Sequence, residues 1–328
     1  MKDKISRIAV IGAGMAGMTC AKRLSAAGVH VEVFEKSRGI GGRLNTRRGD
    51  DWQCDLGAQY FTASTPAFQV EVDHWIEKNA VLPWYPRLFI YDEEGLFRHT
   101  GADTVRHVGV PKMNAMLGCL DGNVALHLNV QVNGLVLHDD AWYLDLGSAG
   151  PRVGPFDAVL CAVPAPQAFP LVAPWSPELR QIASSVEMLP CWAAVAHYDE
   201  PVATDFDAVF VNEGALRWVA RDSSKPLRQG KETWLIHASL GWSQRWLESD
   251  PEWVSSELAN AVQEILGLRP VNCKAHRWRY ADMAAPLHLG AAWDQSRGIG
   301  LCGDWLSGGK VEGAWTSGKQ LAEQVLKS

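Results

Sequence analysis

Apolar residues along the chain repeat with two different periods, and their order predicts a layered α/β protein. Ile8-Ala9-Val10-Ile11 is a short unbroken apolar run, the pattern of a strand buried on both faces, and it leads into Gly12-Ala13-Gly14-Met15-Ala16-Gly17. Residues 18–24 switch to helical spacing, and a second apolar run over residues 29–34 ends on Glu35. Strand, turn, helix and strand in that order form the βαβ unit that opens a parallel sheet. Residues 156–164 read as a further buried parallel strand, stopped by Pro164.

The intervening segments carry a different pattern. Phe68, Val72, Trp75 and Ile76 fall at helical spacing, and Leu88-Phe89-Ile90-Tyr91 reads as a strand turned back by Asp92-Glu93-Glu94-Gly95. Residues 108–114 open a helix running to Leu120, and residues 124–132, 134–138 and 142–146 read as strands of one meander. Further strands are expected over 191–198, 208–211, 234–240 and 298–301, with a last helix over 312–326. Between them one helix begins at Asp250-Pro251-Glu252, an N-cap followed by a first-turn proline, with Val254, Leu258, Val262, Ile265 and Leu266 on one face. The fold class expected is therefore α/β, a Rossmann-like dinucleotide-binding domain built from 1–65, 105–165 and 272–328. A second α+β domain is expected from 66–104 and 166–271.

The glycine turn has specific chemistry. Gly12 permits the tight turn, Gly14 lets backbone approach a pyrophosphate, and Gly17 allows the helix to lie against the strand. The helix N-terminus presents free N–H groups to an anion, and Glu35 stands where a carboxylate accepts hydrogen bonds from an adenosine ribose. The bland alternative is a βαβ turn with no ligand. In Lys36-Ser37-Arg38-Gly39-Ile40-Gly41-Gly42-Arg43, paired glycines precede an arginine suited to the same pyrophosphate; the alternative there is a solvated surface arginine.

Composition narrows the function. With 328 residues, 47% hydrophobic and 21% charged, the chain can bury a sizeable core and carries no low-complexity tract. A net charge of -6 gives no support for a nucleic-acid or anionic-membrane partner. No stretch approaches the roughly eighteen apolar residues that span a bilayer, and the first apolar run reads as a core strand rather than a leader, so a cytoplasmic location is expected. Seven cysteines lie scattered without metal-ligand spacing, as reduced core residues, and no metal is expected. The fifteen tryptophans are mostly packing residues, a few of which are suited to wall an aromatic pocket.

The order glycine turn, acid-ended strand, Gly41-Gly42-Arg43 and then Gly57-Ala58-Gln59-Tyr60 resembles the FAD-dependent amine oxidase superfamily, and most of all its bacterial-type renalase branch. That resemblance implies a p-hydroxybenzoate-hydroxylase-like two-domain architecture. Gly300-Leu301-Cys302-Gly303-Asp304, with Val311-Glu312-Gly313-Ala314 after it, resembles the superfamily's second FAD signature, in which the aspartate holds a ribityl or ribose hydroxyl. The cofactor contacts so implied are Gly12, Ala13, Gly14, Met15, Ala16, Gly17, Glu35, Lys36, Gly42, Arg43, Gly57, Ala58, Gln59, Tyr60, Gly303, Asp304, Val311 and Glu312. Val132 is added as a backbone contact to adenine, against the alternative of a plain strand valine. No cysteine lies in Ser307-Gly308-Gly309-Lys310-Val311, so the FAD is expected to be non-covalent. Lys310 stands where amine oxidases usually carry a cage tyrosine, and a cation there disfavours a protonated amine.

The renalase resemblance implies oxidation of 2- and 6-dihydro isomers of NAD(P) to NAD(P)+ by hydride transfer to FAD N5, with dioxygen reduced to hydrogen peroxide. Such a reaction needs no acid or base residue, because aromatising the dihydropyridine drives it. Tyr60, His237, Trp278 and Arg279 are the substrate-pocket residues so implied. A strand histidine, core tryptophan and structural ion pair are the respective alternatives for the last three. The competing functions are an FAD-dependent amine oxidase or desaturase, and a non-enzymatic flavoprotein. Expected partners are the dihydronicotinamide dinucleotide and O2, with no nucleic acid and no membrane.

Overall fold

Strand Arg7–Ile11, helix Met15–Ala26 and strand His30–Glu35 follow one another as the apolar pattern predicts. The structure is a computed structural model that describes residues 5–100, 104–119 and 124–328. Arg7–Ile11 sits inside a six-stranded sheet, between Ala158–Cys161 and His30–Glu35 and parallel to both. Ile299–Leu301 and Ala292–Asp294 extend one side of this sheet and Val124–Leu128 the other. Val124–Leu128 thus pairs in parallel with His30–Glu35 instead of joining the meander, which consists of Gly134–His138, Ala141–Asp145 and Val153–Phe156. Alternation alone does not tell a strand's partner, and here Asn129 turns at a positive φ of 57° between the two sheets.

Helices Met15–Ala26 and Lys310–Leu326 lie together on one face of the parallel sheet, close enough that a Cβ on Gly318 would run into the Ala16 carbonyl oxygen. On the other face the meander contributes Trp142, Leu144 and Phe156 to a core shared with Ala9, Ile11, Val159 and Cys161. Helix Pro66–Glu77, expected within the second domain, buries Phe68, Val72 and Trp75 in the first core, with Phe68 5.3 Å from Trp315 of the final helix. The expected helix opening near residue 108 is a strand, Arg106–Gly109, followed by 3-10 turns over Met113–Cys119; Leu120 lies outside the described residues.

A seven-stranded sheet forms the second layer, in the order Asn272–Met283, Met188–His197, Thr233–Ala238, Leu216–Arg221, Ala208–Val211, Leu88–Tyr91 and Phe97–His99. Asn272–Met283 pairs along Met188–His197, so the chain leaves this sheet after Met283 rather than at 272. Helix Pro251–Leu266 covers the outer face with Val254, Leu258 and Val262, all fully buried. Its N-terminus is capped by the Asp250 carboxylate, which accepts from the Glu252 and Trp253 amides, and Gly267 ends it in the left-handed conformation. Across the sheet the register aligns Phe210, Trp218, His237, Ala193 and His276 in one row, and cross-strand partners share a face. That row sets the aromatic composition of the site below.

Candidate active site

The glycine turn builds an anion cradle. Gly14 caps the first helix without any side-chain cap, so the first-turn amides are left for another acceptor. A Cβ built on Gly14 meets nothing within 4 Å, and one built on Gly42, across the gap, comes no nearer than 3.8 Å to the Gly14 Cα. Bare amides facing open space, with Gly42 on the far wall, fit a pyrophosphate. Gly12 holds a φ of +104° beneath this turn, and the Gly41 amide donates to the Ala13 carbonyl at 2.9 Å, fixing the second loop against the first.

Glu35 ends its strand beside the turn, 8% exposed. Its oxygens accept from the Ala13 amide at 2.9 Å and the Ser37 amide at 2.8 Å, and it has no cationic partner among the described residues. Its remaining lone pairs suit ribose hydroxyls. The loop after it returns along the same edge, where the Val130 amide donates to the Glu35 carbonyl at 2.9 Å; Val132 follows with its backbone unbonded among the described residues. Lys36 is exposed and unpaired among them. Residues brought to this end therefore match an adenosine diphosphate moiety.

Arg43 and Asp304 meet each other. The guanidinium donates to both Asp304 oxygens and to the Ala281 carbonyl, so the second glycine loop is tied to the turn after strand Ile299–Leu301. Glu312 is turned elsewhere: its carboxylate accepts from the Ser64 and Thr65 amides and the Thr65 hydroxyl, bracing the entrance to helix Pro66–Glu77. The Glu312 carboxylate is thus engaged as a cap by two amides within its reach. The backbone of Val311 and Glu312 still opens the final helix, whose Gly309 cap makes no side-chain hydrogen bond.

The turn over Leu56, Gly57, Ala58, Gln59 and Tyr60 joins the two layers. The Ala58 amide donates to the Arg43 carbonyl at 2.9 Å, and a Cβ on Gly57 would collide with that same oxygen. From the seven-stranded sheet, His237 Nε2 and Trp278 Nε1 both reach the Leu56 carbonyl, at 2.9 and 3.1 Å. A carbonyl oxygen only accepts, so His237 carries its proton on Nε2. Burial pushes the His237 pKa down to about 4, leaving Nδ1 bare at neutral pH. Cys191, beside Trp278 in the register, has its thiol pushed up to about 12 by burial and is unreactive.

Gln59 is buried and its amide faces away from open space, donating to the Asp55 carbonyl and accepting from Lys225 Nζ at 3.3 Å. Behind it lies a buried charge cluster. Lys225 Nζ contacts Asp55 at 2.8 Å and Asp222 at 2.5 Å, and Arg228 contacts Asp55 at 2.5 Å, all with side chains at most 1% exposed. Despite burial, Lys225 and Arg228 hold the Asp55 carboxyl below its usual range, whereas burial and the charge of Asp55 push Asp222 up. Sequence reading missed this cluster, since Asp222-Ser223-Ser224-Lys225 has the composition of a solvated turn and nothing local marks it as buried.

Tyr60 faces the aromatic row, its ring 5.7 Å from Trp218 and 6.3 Å from Trp84. Arg279 does not: it sits opposite Trp278 in the strand alternation and binds Glu248 with two hydrogen bonds, 2.6 and 2.9 Å, as a structural ion pair outside the pocket. Lys310 is exposed at the head of the final helix with a positive φ of 64°. Among the described residues no group of His, Cys, Asp or Glu is arranged to hold a metal, and no helix is long and apolar enough to cross a membrane.

Comparison with known proteins gives the family and the fold. The profile described as flavin containing amine oxidoreductase matches residues 113–326, and that of an NAD(P)-binding Rossmann-like domain matches residues 10–73. Among curated proteins, an L-amino-acid oxidase of Crotalus adamanteus is 47% identical over 51 residues, 16% of this chain and 10% of that protein. One from Siganus canaliculatus is 34% identical over 94 residues, 28% of this chain and 16% of that protein. The matches thus span a tenth to a sixth of those relatives. Among solved structures, a candidate protoporphyrinogen oxidase from Exiguobacterium sp. 255-15 superposes with a TM-score of 0.76 at 13% identity, covering 100% of both chains. Wild-type putrescine oxidase bound to putrescine superposes at 0.70 with 13% identity, covering 99% of each chain. At that identity they share the fold, a two-domain flavoenzyme architecture.

Proposed function

We propose that this chain, which belongs to the flavin containing amine oxidoreductase family and has FAD as its cofactor, oxidises 2- and 6-dihydro isomers of NAD(P) to NAD(P)+ in the manner of the renalases. The chemistry FAD supplies when bound is acceptance of a hydride at N5 and return of both electrons to dioxygen as hydrogen peroxide. The rest falls to the chain's own residues. Glu35, the bare amides after Gly14 and Arg43 hold the dinucleotide end of the cofactor, while the Leu56 to Tyr60 turn holds the flavin end against the row Phe210, Trp218 and His237.

The state of His237 carries the reading. An ammonium must lose a proton before it gives up a hydride, and an imidazole with a pKa near 4 is too weak to take that proton at neutral pH. His276, in the same row, is also lowered, by burial and by Arg47. A dihydropyridine asks for no base. It asks for a flat apolar wall, which Trp278 and the aromatic row supply, and for an acceptor for its carboxamide N–H, which His237 Nδ1 supplies. Lys310 adds a positive charge that favours an anionic dinucleotide over an amine.

The test is steady-state turnover of the holoenzyme with each isomer in aerated buffer, following hydrogen peroxide and the product by proton NMR. Formation of NAD(P)+ and peroxide in equal amounts is expected. Peroxide formation from amines or amino acids, with the isomers left intact, would place the chain with the amine-oxidising members of the family.

A further inference from the structure

The Tyr60 ring contacts two residues whose donors the protein itself leaves unsatisfied. Trp218, 4% exposed, packs 5.7 Å from Tyr60 and 4.6 Å from Phe210, and its buried indole Nε1 has no hydrogen-bond partner among the described residues. The Arg106 guanidinium also stands over the Tyr60 ring, its Cζ 5.2 Å from the centroid. Arg106 Nε is buried without a partner, Nη1 makes one long bond of 3.3 Å to the Thr104 carbonyl, and no carboxylate pairs with it among the described residues. Trp218 is the direct cross-strand neighbour of His237, so these donors adjoin the row that walls the site.

An unmatched buried N–H is costly, and the Tyr60 face gives the Arg106 guanidinium attraction without an acceptor for its N–H groups. Indole and guanidinium are donor-only groups, so the ligand that completes them must bring acceptors. An ammonium brings donors and a positive charge, the opposite of what the site lacks. We propose that Arg106 and the Trp218 indole N–H form an acceptor subsite beside Tyr60, Arg106 taking a phosphate oxygen of the dinucleotide substrate and Trp218 a further oxygen of the same molecule. This subsite rests on the reaction proposed above and supplies its selectivity for phosphorylated ligands.

The test titrates holoenzyme with NAD+ and, separately, with nicotinamide riboside, which has no phosphate, and reads the visible difference spectrum of the flavin in wild type, R106Q and W218F. Wild type is expected to bind NAD+ more tightly than the riboside. R106Q is expected to weaken NAD+ binding roughly tenfold or more and leave the riboside within about twofold, the loss typical of a hydrogen bond to a charged group. W218F keeps a ring in place and is expected to weaken NAD+ by several-fold, read per bound flavin. NAD+ binding of wild-type strength in both variants would overturn the subsite, as would equal losses for NAD+ and the riboside in R106Q. An Arg106-dependent preference for NAD+ in a protein whose flavin no dihydro isomer reduces would uphold the subsite and sink the proposed reaction. Reduction of R106Q by the isomers with wild-type KM would do the reverse.

Discussion

Arg43 and Asp304, 261 positions apart in the chain, form a two-pronged ion pair, Nη1 to Oδ2 at 2.9 Å and Nη2 to Oδ1 at 2.5 Å. It ties the second glycine loop to the C-terminal turn. Arg43→Ala leaves Asp304, 8% exposed at its side chain, without its counter-ion, and Asp304→Ala leaves the fork without its carboxylate. Both variants are expected to lose FAD on dialysis, seen as a fall in the visible-to-ultraviolet absorbance ratio. Arg43→Lys, which keeps the charge and loses the fork, is expected to fall between them and wild type. Full flavin content in Arg43→Ala would contradict its role in the cradle.

His237 predicts a pH dependence. Its folded pKa is lowered from an ordinary 6.5 to about 4 by burial. As pH drops below 6.5 the unfolded chain takes up a proton that the folded chain refuses until about 4, so stability falls through that window and levels off beneath it. The contribution is about 3 kcal/mol, at roughly 1.36 kcal/mol for each pH unit between the two values. His237→Gln, which still donates to the Leu56 carbonyl, is expected to flatten the decline of the melting midpoint over this range. An unaltered slope would mean that His237 titrates normally.

Trp278 acts on Leu56 and on the pocket wall together. Trp278→Phe keeps a ring and loses the N–H, which is expected to cost about 1 kcal/mol of stability with flavin retained. Trp278→Ala removes the wall and is expected to slow single-turnover flavin reduction while FAD stays bound. An unchanged rate at both limiting and saturating substrate would take Trp278 out of the site.

The buried cluster orders two carboxylates. Asp55 accepts from Lys225, Arg228 and the Thr46 hydroxyl, whereas Asp222 accepts from Lys225 through one oxygen and leaves the other without a hydrogen bond. Asp55→Asn leaves Arg228 without its close carboxylate and Lys225 with Asp222 alone, and is expected to cost about 3–5 kcal/mol. Asp222→Asn is expected to cost markedly less, because it also removes repulsion between two buried carboxyls. Chemical denaturation of the two variants checks the order, and equal losses would contradict it.

Local patterns carried the parts of the account that are local in the fold. The glycine turn, Glu35 and the Asp250 cap each depend on neighbours within a few dozen residues, and each was legible. Val124–Leu128 was grouped with the wrong sheet, because alternation records which face of a strand is buried and not which strand it joins. The partners of Arg43 and Glu312, and the Lys225 that donates to Gln59, lie 166 to 261 positions away in the chain, and no spacing rule reaches that far. Arg106 and Trp218 belong to no motif that the sequence marks. Only the packing around Tyr60 shows their donors to be unmatched.

The central claim is tested most directly by anaerobic stopped-flow absorbance of the holoenzyme, mixed separately with 2-dihydro-NAD(P), 6-dihydro-NAD(P), primary amines and polyamines. The account predicts rapid bleaching of the flavin by the dihydro isomers and none by the amines. Bleaching by amines alone would contradict it, and would assign the neutral His237 and the cationic Lys310 to a site that oxidises amines.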